Sequence, residues 1–264
     1  MTRAAFAYAN ARMRARKARL LGRDALVHLA VSERPAAVVD GWRDLVSESD
    51  GGELLASVYA RLMAEYACVA RACPAAERVV VALARRHEIE NVKLVWRAAV
   101  RGRAFVDWQA SWRPLGAFET VTRDACRGAA TLPALAGVLS HTPFRAIADV
   151  VSRVHPRDLA AAAAAFDRWV VREMAVAADA LPPTESMTRR LLAVAVSTER
   201  DATARRRRDS LCQRAFRAAP YSLAPLVAYL LMRDAEARAL LAVAEARARE
   251  LNPREVYGLV NAVM

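Results

Sequence analysis

Apolar residues recur every three or four positions along almost the whole chain, and alanine fills most of the places between them. Leu54, Val58, Leu62 and Tyr66 form one such series; Phe6, Ala9, Met13 and Leu20 form another. That period is the signature of amphipathic helices. Alanine reinforces it, because it loses no side-chain rotamer freedom in a helix. Only 9 glycines and 6% aromatic residues leave little material for a sheet. The pattern therefore predicts an all-α fold, and 264 residues suffice for a substantial core.

Helix boundaries follow from caps and prolines. The spacing predicts a first helix over about Thr2–Val31, then a second from Pro35 to about Val46. A loop follows over Ser47–Gly52, and a helix over Glu53–Arg71. Pro74 opens the next, kinked near His87 and running to Val100, with Gly102 as its C-cap. Residues 103–116 read as a connector whose Trp108 and Trp112 plug a core. Thr131 with Pro133, and Thr142 with Pro143, mark further starts. Pro156 opens a helix to about Ala180, and Leu181-Pro182-Pro183-Thr184 is the clearest linker. A helix over Glu185–Ala218 comes next, then one capped by Ser222 and running to Glu250. Asn252-Pro253-Arg254-Glu255 carries a complete capping box.

The formal net charge is +12, and all but two of the 40 basic residues, Lys17 and Lys93, are arginine. A basic excess favours anionic partners: lipid headgroups, nucleic acid or acidic protein faces. Arg205-Arg206-Arg207-Arg208 is the densest cluster. Consecutive helical positions point around the whole circumference, so at least one of the four must meet the protein or a partner. No aromatics interleave it, and Glu199, Asp201 and Asp209 bracket it, which favours a solvated or internally paired face over a nucleic-acid site.

Catalytic and metal chemistry find little support. Cys68, Cys73, Cys126 and Cys212 form no C-x-x-C pair and read as reduced, buried small groups. His28, His87, His141 and His155 are scattered, so no metal site is expected. No phosphate-binding glycine loop or nucleophile elbow occurs, so no cofactor is expected either; Asp149 and Asp158 read as solvated acids. No apolar run is long enough for a transmembrane helix. The N-terminus has no acid before Asp24, which also suits an organelle transit peptide.

Three segments carry a resemblance. They are Tyr8-x-Asn10-x-Arg12 followed by Leu20-Leu21, Glu90-Asn91-x-Lys93 followed by Arg97, and Pro220-Tyr221-Ser222-Leu223-Ala224-Pro225-Leu226 leading to Tyr229-Leu230 and Glu236. In order and spacing they resemble the C-type subunit of V/A-type rotary ATPases, whose counterpart in the vacuolar proton pump is the d-type subunit. The stretches His87–Arg103 and Tyr229–Arg249 both read as helices with acids at the head and arginines toward the tail. With Glu88 and Glu90 in opening turns, the helix dipole favours them, and Glu90 can pair with Lys93 and Arg97 while Asn91 faces a neighbouring helix.

A faint internal repeat aligns Glu88-Ile89-Glu90 with Glu199-Arg200-Asp201 and with Glu236. The second and third copies carry Ala202 and Ala239 where the first has Asn91, a departure that marks a divergent member. The resemblance implies a funnel of three helical units around a pseudo-threefold axis, here about 1–115, 116–218 and 219–264, with the third shortened. It also implies a non-catalytic part, peripheral on the cytoplasmic face of the membrane. Its partners would be the central-stalk subunits and the proteolipid rotor ring, and its task torque transmission during ion transport or ATP synthesis. Arg12, Arg16, Arg19, Arg85, Arg86, Lys93 and Arg97 are the expected partner contacts. An arginine-rich nucleic-acid-binding protein and a family relative serving as a scaffold are the alternatives.

Overall fold

A computed structural model describes residues 3–31, 51–153, 159–196, 202–218 and 221–264. Among them the fold is all-α, without a strand. Twelve helices follow in order: α1 Arg3–Lys17, α2 Arg23–Val31, α3 Gly51–Ala72, α4 Glu77–Val100, α5 Arg123–Arg127, α6 Leu132–Ser140, α7 Arg145–Arg153, α8 Leu159–Asp179, α9 Ser186–Ala195, α10 Ala202–Ala218, α11 Ala224–Ala248 and α12 Pro253–Val263. Short 3-10 turns punctuate the connector between α4 and α5 and precede α4 and α9. The helix from Pro35 to Val46, residues 47–50 of the expected loop, the start at Pro156, Asp158 and the repeat copy at Glu199–Asp201 lie outside the described residues.

Most elements form where the pattern places them. Leu54, Val58, Leu62 and Tyr66 of α3 are all buried, as are both connector tryptophans. Asn252 Oδ1 accepts from the backbone N–H groups of Arg254 and Glu255, and Glu255 in turn accepts from the Asn252 N–H at 2.9 Å. At the end of α4, Gly102 has φ 61°, and the N–H of Arg103 reaches the Ala98 carbonyl at 2.9 Å. That bond closes the left-handed turn that glycine favours after a helix.

Four expectations are corrected. The helix over Thr2–Val31 is two helices, because the N–H of Leu21 is taken by Glu236 Oε1 at 2.8 Å, where a continuing helix would offer it a carbonyl. The helix over Glu185–Ala218 is likewise α9 and α10; the Ala195 carbonyl at the end of α9 accepts from Arg86 at 2.8 Å. Gly51 and Gly52 belong to α3 rather than to a loop, and α4 passes His87 without interruption. Leu181–Thr184 is no loose linker, since Leu181 is buried and the turn delivers a buried Glu185 to the Leu223 N–H at 3.1 Å.

The buried apolar side chains form two clusters. One gathers α1–α3, the first half of α4, the end of α8 and α9–α12. The other gathers the second half of α4, the connector with Trp108 and Trp112, α6, α7 and the first part of α8. Helices α4 and α8 run through both. On α4 the change occurs between Ala84 and Ile89, and on α8 between Val170 and Met174.

Candidate functional site

Polar residues occupy that seam. Between Ala84 and Ile89 stand Arg85, Arg86, His87 and Glu88; between Val170 and Met174 stands Glu173. Arg85 Nη1 meets Glu173 Oε2 at 2.7 Å, tying α4 to α8 at the level where the two cores abut. Arg86 points the other way. Its Nη2 lies 2.5 Å from Asp234 Oδ2 on α11, while its Nη1 holds the end of α9.

Asp234 is the hub of this network. It is 1% exposed, and besides Arg86 it meets Arg238 Nη2 at 3.3 Å and His87 Nε2 at 3.3 Å. His87 is packed edge-on against Tyr59 and Tyr66. Burial drives its pKa down to about 3; Asp234 opposes the fall, and Arg86, Arg113 and Arg238 add to it. The imidazole is therefore neutral at physiological pH, and the charge of Asp234 is met by guanidinium groups. These residues open onto a cleft of about 480 Å³ between α3, α4, α11 and α12, with Arg113 stacked over the Tyr59 ring at 4.8 Å.

The rest of the α4 segment works inward too. Glu88 is 0% exposed. Its Oε1 accepts from the Thr120 N–H, from Thr120 Oγ1 at 2.9 Å and from the Val121 N–H at 2.8 Å. Burial raises the Glu88 pKa, and those three bonds counter it. Asn91 clamps the connector in both directions. Its Nδ2 donates to the Arg113 carbonyl at 2.7 Å, and its Oδ1 accepts from the Arg113 N–H at 3.0 Å. Lys93 joins Glu90 at 2.7 Å and crosses to Asp167 on α8 at 2.8 Å.

Two readings of these acids change as a result. Glu88 and Glu90 lie in the middle of α4, and Asp234 and Glu236 in the middle of α11. The dipole of an opening turn cannot account for them. Glu88, Asp234 and Glu236 persist because each finds a partner on another segment, and Glu90 pairs with Lys93 one turn along the same helix. Asn91 faces the connector backbone rather than a helix.

The seven expected partner contacts separate into two groups. Arg16 pairs with Glu65 of α3, which also accepts from Tyr229 Oη at 3.0 Å. Arg85, Arg86 and Lys93 hold the carboxylates already named. Arg12, Arg19 and Arg97 are exposed: the first on α1, the second in the turn after it, the third on α4. The structure brings Arg85, Arg86 and Lys93 to one framework and leaves Arg12 and Arg19 apart from it. Of the arginine cluster, Arg208 is buried and bonds the Met264 carbonyl and Asp209, as the circumference argument requires. Asp234, Glu65 and Glu185 were missed as organising residues. The legible signal was acids and arginines together inside a mainly apolar helical run, as Arg233, Asp234, Glu236 and Arg238 stand within Tyr229–Leu241.

Chemically, this arrangement braces. Its histidine is a weak base, and its carboxylate gives one oxygen, Oδ2, to two guanidinium groups while Oδ1 faces the neutral imidazole. The four cysteines are buried thiols, with burial raising Cys126 and Cys212 to about 12. Among the described residues no three His, Cys, Asp or Glu side chains converge on a metal position.

The family model for the ATP synthase (C/AC39) subunit matches residues 9–204. The chain belongs to this family. Its members are non-catalytic subunits of V/A-type ATPases, which agrees with the resemblance carried by the first helix and by the Glu90–Arg97 segment. The match spans α4 and its seam residues, whereas α11, with Asp234 and Glu236, lies beyond the matched residues. No curated protein matches this C/AC39 chain. No described helix of it is long and apolar enough to cross a membrane.

Proposed function

We propose that this chain couples the central shaft of a V/A-type ATPase to the membrane rotor ring, as a non-catalytic part peripheral to the membrane. The family match over residues 9–204 carries the reading. The bracing supports it. A coupling part must transmit torque without bending, and α4 alone is tied by buried or half-buried polar bonds to α8, α9, α11 and the connector. Two apolar cores threaded by the same two helices resist hinge motion at the seam.

Partner contact then falls to the exposed members of the expected set, Arg12, Arg19 and Arg97, while Arg16, Arg85, Arg86 and Lys93 hold the framework. Affinity purification from native membranes tests the reading. Nucleotide-binding, shaft and proteolipid subunits should accompany the chain, and their absence would refute it. Reversing Arg12 and Arg19 to glutamate should weaken that association with helicity intact; undiminished association would discard the α1 face.

A further inference from the structure

The tertiary structure joins two basic segments that lie far apart in the chain. Residues 3–23 contain seven basic side chains and no acid; residues 202–218 contain six arginines and one acid, Asp209. Side chains of α1 reach across to α10. Arg14 Nη2 donates to the Phe216 carbonyl at 2.5 Å, Lys17 Nζ donates to Gln213 Oε1 at 3.1 Å, and Lys17 stands 4.6 Å above the Phe216 ring. None of these contacts neutralises a charge. Arg206, Gln213 and Arg217 share one face of α10 at helical spacing, and Arg206, Arg214 and Arg217 are exposed, as is Arg14.

We propose that this α1–α10 face binds the headgroups of an anionic lipid bilayer. Three observations favour a bilayer over a nucleic-acid strand. The cations stand on the open faces of two helices rather than along a groove. The groove that does adjoin them, about 410 Å³ between α2, α10, α11 and α12, carries Asp24, Asp209 and Glu236 against Arg23, an acidic balance unfavourable to a phosphodiester backbone. And Tyr221 is 60% exposed at the edge of the face, next to Ser222, whose carbonyl accepts from Asn10 of α1 at 3.3 Å. A tyrosine so placed suits the water–lipid boundary. The face is separate from the Arg12 and Arg19 flank of α1. Lipid binding deepens the membrane-peripheral reading and rests on it, but vesicles test the chain without its partners, so each can fail without the other.

Co-sedimentation of the full chain with phosphatidylcholine vesicles, with and without phosphatidylserine, tests it. Binding should require phosphatidylserine and weaken with salt. A cation close to such a surface strengthens binding about fivefold, so R206A/R214A/R217A together should lose roughly a hundredfold. R101A/R103A/R145A removes the same charge from elsewhere and should retain most of the binding. Indifference to phosphatidylserine, equal losses in the two triple variants, or binding to a single-stranded RNA probe without vesicle binding would each overturn the proposal.

Discussion

Arg86 and Asp234 stand 148 positions apart in the chain and meet at 2.5 Å in its interior. Asp234 also receives Arg238 and faces His87, so one buried carboxylate organises α4, α9 and α11 around the seam between the two cores. Removing it leaves two largely buried guanidinium groups, Arg86 and Arg238, without their shared carboxylate.

Asp234→Ala should therefore cost about 3–5 kcal/mol, the range for breaking a buried charge pair from one side. Urea denaturation monitored by circular dichroism measures this. A loss below about 1 kcal/mol would mean that the pair is not structurally important.

Arg86→Ala and Arg97→Ala should differ sharply, although both residues are arginines on α4. The first removes the partner of Asp234 and should lose several kcal/mol. The second trims an exposed side chain and should stay within about 0.5 kcal/mol of the parent. Equal losses would contradict the division between framework and available cations.

The low pKa of His87, about 3 when folded against an ordinary value of 6.5, makes stability depend on pH. Between those values the unfolded chain binds a proton that the folded chain does not. Stability attributable to His87 is complete above pH 6.5 and falls by about 1.4 kcal/mol per pH unit as the solution is acidified toward pH 3. Glu88 and Glu236, whose pKa values burial raises, act in the opposite sense, losing stability as pH rises through their folded values. Comparing the parent with His87→Gln isolates the histidine. The variant should be less stable at neutral pH and show a shallower acid slope; parallel slopes would refute the assignment.

Arg16 and Tyr229 converge on Glu65. Tyr229→Phe should cost about 1.5–3 kcal/mol, as for a hydrogen bond to a charged group. Combined with Arg16→Ala the two losses should not add, because each variant disturbs the same carboxylate. Strict additivity in a double-mutant cycle would show that the three side chains do not form one unit.

The thiols should be silent in the native state. All four cysteines are buried, so a thiol reagent should label them only in denaturant. Rapid labelling of Cys126 or Cys212 in the folded chain would show local opening of its surroundings.

Residue order was enough for the helical class, most helix positions, the capping box at Asn252, the left-handed turn at Gly102 and the burial of Trp108 and Trp112. Each depends on residues a few positions apart, where spacing and local hydrogen bonding fix the outcome. The same order marked α4 as the informative segment. What that segment does stayed hidden, because Glu88, Asn91, Lys93 and Arg86 are indistinguishable from a solvated charged face until their partners at Val121, Arg113, Asp167 and Asp234 are known.

Where helices break, and which charges stay exposed, emerged only from packing. The carboxylate of Glu236 holds the turn after α1 at Leu21, and no local rule at Leu21 anticipates a bond from a residue 215 positions away. In the same way, folding sorts Arg16, Arg85, Arg86 and Lys93 from Arg12, Arg19 and Arg97. A guanidinium is alike wherever it occurs in a chain, and its role is set by the carboxylate or carbonyl that folding brings within hydrogen-bond reach.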